Sequence, residues 1–126
     1  MRQHPRALAE GEISPARYEE LKSICRQYRE MRMVVSMAER YGHHRALSGD
    51  ASRDRELPEA RRVRIIEQAA MAAGGEAVGP AILRNVTEGQ IYAKLRPPCG
   101  ERQFYQLRLE FYRELDKQLW RYERGL

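Results

Sequence analysis

Apolar residues recur along this chain at helical rather than strand spacing. From Leu21 they fall at Leu21, Ile24, Tyr28, Met31, Val35 and Ala38, a run of three- and four-residue steps that keeps one stripe on one helix face. Ser14-Pro15 supplies a start. Serine can cap free amides, and proline at the first helical position has its φ preset and no amide left unbonded. Gly42 after Tyr41 supplies a stop, since glycine can close a helix in the left-handed conformation. Residues 14–42 are therefore expected to form one long amphipathic arm, about 40 Å at 1.5 Å per residue. Its seam of Leu21, Ile24, Tyr28, Met31 and Val35 needs burial, either by self-association or by packing back on the rest of the chain.

Residues 1–13 show no periodicity and carry His4, Pro5 and Gly11, which reads as a loose lead-in. Residues 43–57 hold His43, His44, Ser48, Gly49, Asp50, Ser52, Asp54 and Arg55, with little to bury, and read as a polar linker. Pro58-Glu59 opens a helix expected to run to Ala73, with Val63, Ile66, Ala70 and Ala73 inward, until Gly74-Gly75 ends it. A segment from about Ala77 to Val86 follows, then a short one from Gln90 to Leu95 presenting Ile91, Tyr92 and Leu95. Arg96-Pro97-Pro98-Cys99-Gly100 interrupts the pattern, because the prolines lack donors and bias their predecessors away from helix. A last helix is expected over Glu101 to Tyr122, with Phe104, Leu107, Phe111, Leu115 and Leu119 as its stripe. Phe104, Leu107, Phe111 and Leu115 are expected to pack against Ile66, Ile82, Ile91 and Leu95. The pattern predicts an all-α chain: a long N-terminal helix, then a small helical domain over 58–126 that ends in a helix-turn-helix-like unit over 87–122.

Composition narrows the class. The 126 residues are 42% hydrophobic and 33% charged, too apolar for a disordered chain and too charged for a membrane protein. No stretch approaches the roughly 18 apolar residues of a membrane span, and no apolar run follows Met1–Leu8 as in a secretion signal. Cys25 and Cys99 form neither a CxxC motif nor a disulfide framework. A soluble, cytoplasmic protein is expected. The excess of 23 basic over 18 acidic residues suits a polyanionic partner. All but Lys22, Lys94 and Lys117 of the basic residues are arginine, whose planar fork fits phosphate oxygens and guanine edges; a GC-rich genome yields the same bias.

The short helix, turn and long helix at the carboxy-terminal end have the order of a DNA-reading unit, in which the first helix braces the second and the second's leading residues reach base edges. Outside the apolar stripe, Arg102, Gln103 and Gln106 stand near the leading end of the long helix. Arginine can donate two bonds to guanine, and glutamine can pair with adenine. Lys94, Arg96 and Arg113 are placed to meet phosphates. Double-stranded DNA is thus the expected partner, and the N-terminal seam offers a homodimer or another protein contact.

The order Ile82-Leu83-Arg84-Asn85-Val86-Thr87-Glu88-Gly89, then Ile91-Tyr92-Ala93-Lys94-Leu95, then Cys99-Gly100-Glu101-Arg102-Gln103-Phe104-Tyr105-Gln106-Leu107-Arg108 resembles the end of phage-encoded transcriptional regulators of the ArpU and RinA type. The likeness covers about residues 60–120. It implies a helix-turn-helix like that of sigma-factor region 4, preceded by a helical arm, and action on late-gene transcription of a phage or prophage. Two features depart from the pattern: the turn is longer and stiffer, and Glu101 and Glu110 on the reading helix repel phosphate.

No catalytic constellation is found. His43-His44 lack the i, i+4 spacing of a helical metal pair, Cys99 has no histidine within 50 residues, and Gly74-Gly75 and Gly79 do not form a phosphate loop. No enzyme activity, metal or cofactor is expected. The other function class left open is a non-enzymatic protein-interaction module that docks a partner along the N-terminal seam, such as a phage inhibitor of a host or defence complex. Salt separates the two, since phosphate contacts weaken steeply with ionic strength and apolar seams do not.

Overall fold

The computed structural model describes residues 12–48 and 56–125, with side chains over 12–42 and 56–125. Among these residues the chain is all-α, with five helices and no strand: α1 (Pro15–Arg26), α2 (Tyr28–Ser48), α3 (Pro58–Glu88), α4 (Tyr92–Leu95) and α5 (Glu101–Glu123). The expected lead-in and linker fall largely on residues 1–11 and 49–55, outside the described ones.

The start signal at Ser14-Pro15 works as its chemistry dictates. The Ser14 hydroxyl accepts from the Arg17 amide at 3.1 Å, and Pro15 opens α1. The arm is not one helix, however. Gln27 leaves the helical region (φ −89°, ψ 2°), and its amide bonds back three residues to Ile24 O at 3.0 Å. Nothing in Arg26-Gln27-Tyr28 disfavours helix strongly, so tertiary packing overrides propensity at this position. The bend lets the stripe change partner: α1 packs on both α3 and α5, and α2 runs along α3. Gly42 does not act as a stop either, because α2 continues through it to Ser48. A glycine inside a helix costs only about 1 kcal/mol relative to alanine, and no left-handed residue is demanded there.

The glycine pair of α3 does break it. Gly75 sits at φ 65°, ψ −169°, turning the helix into two segments joined at a corner. Only glycine enters that region freely. The segments then meet backbone to backbone: a Cβ on Gly74 would stand 2.6 Å from Gly79 N, and one on Gly79 would stand 3.0 Å from Ala70 O. The expected end near Ala73 and restart near Ala77 are both found.

α3 is the hub, touching every other helix, and its main partner is α5. Val63, Ile66, Ala69, Ala70, Val78, Ile82 and Val86 of α3 share one core with Phe104, Phe111, Leu115 and Leu119 of α5 and with Leu21, Cys25 and Met31 of the arm. Phe104, Phe111, Ile66 and Ile82 are fully buried. Leu95 and Leu107 are half-buried against this core. Ile91 is a correction: it stands 60% exposed. It is the extended residue before α4 (φ −78°, ψ 159°) rather than part of the helix, and Tyr92 takes the inward position instead.

One polar clamp ties α1 to α5. Arg17 donates from Nε to Asp116 at 2.6 Å, and its other nitrogens reach Glu20 at 3.2 Å and Glu123 at 3.5 Å. Burial of Arg17 works against its charge, but the carboxylates outweigh it and hold the guanidinium pKa above its ordinary value.

Candidate nucleic-acid interface

The unit over 87–122 begins where Gly89 closes α3, its amide bonded to Asn85 O at 3.0 Å. The Asn85 side chain works in both directions. Its amide donates to Gln90 O at 2.8 Å, and its oxygen accepts from Arg108 of α5 at 3.0 Å. The Arg108 guanidinium also lies 4.6 Å from the centre of the Tyr105 ring, within cation–π range. Asn85 therefore fastens the loop before α4 to the second turn of α5.

α4 is a single turn, held by the Lys94 and Leu95 amides on Ile91 O at 3.0 and 3.1 Å. Arg96 ends it in the left-handed conformation (φ 47°, ψ 53°), with its amide on Tyr92 O. Pro97 is buried, and the Cys99 amide bonds to Pro97 O at 2.8 Å. Tyr92 spans the turn: its hydroxyl donates to Cys99 O at 2.6 Å, and its ring lies 5.6 Å from that of Phe104. The stiff turn is thus braced by α4 from within. Gly100 then caps α5 through its carbonyl alone, with no side-chain bond.

Arg102, Gln103 and Gln106 are all exposed on the first two turns of α5. Arg102 and Gln106 lie about 40° apart around the helix, with Gln103 to one side. Lys94 and Arg96 are exposed on α4 and the turn beside them. Arg113 is half-buried and paired with Glu110 at 2.8 Å, roughly 16 Å along the helix from Arg102. It belongs to the same face but not to the leading end. Its pairing also occupies Glu110, one of the two acids that work against a phosphate partner.

The seam behaves differently from this exposed group. Leu21 and Met31 are buried, Ile24 and Tyr28 pack half-buried against the core, and Val35 is half-buried over α3. The Tyr28 hydroxyl donates to Glu67 of α3, which also accepts from Arg32 at 3.1 Å. Burial, with Glu67 adding to it, pushes the Tyr28 phenol up to about 12. The opposite side of α2 is left apolar and exposed at Met33, Val34, Met37 and Tyr41.

Two clefts flank α5. One, of about 550 Å³, is lined by Lys22, Arg26, Arg108, Glu88, Tyr105 and Tyr112 among others. Glu88, the Glu19 partner of Lys22 at 2.9 Å and the carbonyl ends of α1 and α3 offset its cations. The other, of about 260 Å³, lies between Arg61 and Arg64 of α3 and Lys117 and Arg121 of α5. Glu56 bridges Arg61 and Arg64, both at 2.7 Å, and these arginines hold its carboxyl below the ordinary value. Neither cleft is a concentrated positive site. Cys25 is fully buried, which pushes its thiol up to about 12. Among the described residues no three of His, Cys, Asp and Glu gather as metal ligands, and no helix is long and apolar enough to cross a membrane.

Sequence reasoning missed Asn85 as the fastener of the unit and Arg108 as its partner. An asparagine one turn before a helix-closing glycine is a usable signal for the first; the second needs a contact across 23 residues that no local pattern carries. Set against known proteins, the chain matches no family model, no curated protein and no solved structure.

Proposed function

We propose that the chain is a DNA-binding transcriptional regulator, of the phage or prophage kind its carboxy-terminal sequence resembles, in which α5 enters the major groove. The observation that carries this reading is the exposure of Arg102, Gln103 and Gln106 together on the leading turns of a 23-residue helix braced from behind by Tyr92 and Asn85. Residues of these types at that end are what base reading requires. Lys94 and Arg96 stand on the preceding turn, where helix-turn-helix proteins meet the backbone.

The test is retardation of duplex DNA. Micromolar protein is expected to shift mixed-sequence duplex at low salt, with affinity falling steeply as salt rises. Replacing Arg102 or Gln103 with alanine is expected to cost about 1–3 kcal/mol on a selected site and to blur its sequence preference. Lys94→Ala or Arg96→Ala is expected to weaken all sequences alike and to flatten the salt slope by about one unit. Absence of any shift at low salt overturns the reading.

A further inference from the structure

The outer side of α2 carries a second helical stripe. Met33, Met37 and Tyr41 recur at four-residue steps with Val34 beside them, and their exposures are 66%, 49%, 61% and 42% in that order. Glu30 and Arg40 fall on the same side, at its two ends. This side faces away from Met31, Val35 and Ala38, which contact α3 or lie toward it. No helix among the described residues covers it.

We propose that this stripe pairs with the same stripe of a second copy, the two α2 helices running antiparallel about a twofold axis level with Val35. That register places Met33 opposite the partner's Met37 and Glu30 opposite the partner's Arg40, twice by symmetry. A parallel pairing would instead put Glu30 against Glu30 and Arg40 against Arg40, so the charges choose the direction. Methionine suits such a surface, because its flexible thioether fills an irregular gap without a fixed shape.

Four apolar side chains with a charged rim make a small interface, well below the area that obligate dimers bury. The dimer is therefore reversible and micromolar rather than obligate. Its formation does not depend on the DNA reading, and it supplies two reading helices where that reading holds.

Sedimentation of the full chain without DNA, from about 1 to several hundred micromolar, tests the pairing. A monomer–dimer equilibrium is expected. Met37→Glu is expected to weaken it at least 100-fold while leaving the thermal midpoint of the monomer unchanged, since the side chain is exposed. Glu30→Arg and Arg40→Glu are each expected to weaken it by about 5–10-fold, and the double variant Glu30→Arg/Arg40→Glu to restore the parent value within about twofold. A chain that stays monomeric throughout overturns the proposal. So does a dimer that Met37→Glu leaves intact, or single charge variants that the double variant fails to rescue. Because DNA takes no part, failure here leaves the retardation experiment standing, and the reverse also holds.

Discussion

The arm and α5 present the same sequence pattern, an apolar stripe at three- and four-residue steps, yet the protein uses them differently. α5 stays continuous for 23 residues and buries Phe104, Phe111, Leu115 and Leu119 completely, mainly against α3 with α1 packed alongside. The arm bends at Gln27, buries Leu21 and Cys25 between α3 and α5, and then continues along α3 alone with Met31. A stripe therefore tells which face of a helix is buried. It does not tell which helices will do the burying, or where the chain will bend to reach them.

The sharpest way to break this comparison is to remove one anchor from each region. Phe111→Ala removes a fully buried ring at the junction of α3 and α5 and is expected to destabilise the protein by about 3–5 kcal/mol in denaturant unfolding. An unchanged midpoint would overturn the placement of α5. Leu21→Ala removes the corresponding anchor of the arm, with an expected loss of about 3 kcal/mol. Because Leu21 shares the core with Phe111, the loss is expected within one cooperative transition. Two separate transitions would mean that the arm is an appendage and the core divided. The smallest expected effect belongs to the clamp: Arg17→Met frees Asp116 and Glu123 from α1, at about 1 kcal/mol for a half-buried charged bond. An effect above that of Leu21→Ala would show that polar contact, rather than burial, holds the arm in place.

Much of the fold was legible because most signals are local. Ser14-Pro15, Pro58 and Gly74-Gly75 act through their own backbone chemistry, and all three mark real boundaries. Gly42 and Gln27 were misread for the opposite reason. A glycine ends a helix only where its surroundings demand it, and the glutamine leaves helix where α1 packs on α3 and α5 while α2 follows α3. Ile91 shows the same limit at finer scale: α4 starts two residues later than expected, which leaves Ile91 outside the helix and, of the two, Tyr92 alone at the inward position. The site divides along the same line. The exposure of Arg102, Gln103 and Gln106 follows from subtracting the apolar stripe of α5, whereas the link between Asn85 and Arg108 joins two helices and left no trace in either alone.

Arg96 gives the turn a further property. A non-glycine residue in the left-handed region sits about 1–2 kcal/mol above its preferred backbone state, and the neighbouring prolines restrict the chain on one side while α4 fixes it on the other. The guanidinium is consequently mounted on a bracket that is already bent to shape. An ordinary loop arginine surrenders backbone freedom when it grips a ligand, but this one has surrendered it during folding. Glycine at this position would relax the bracket and remove the charge in one step. Backbone strain and side-chain charge thus meet at one residue, and the sequence keeps the charge at the cost of the strain.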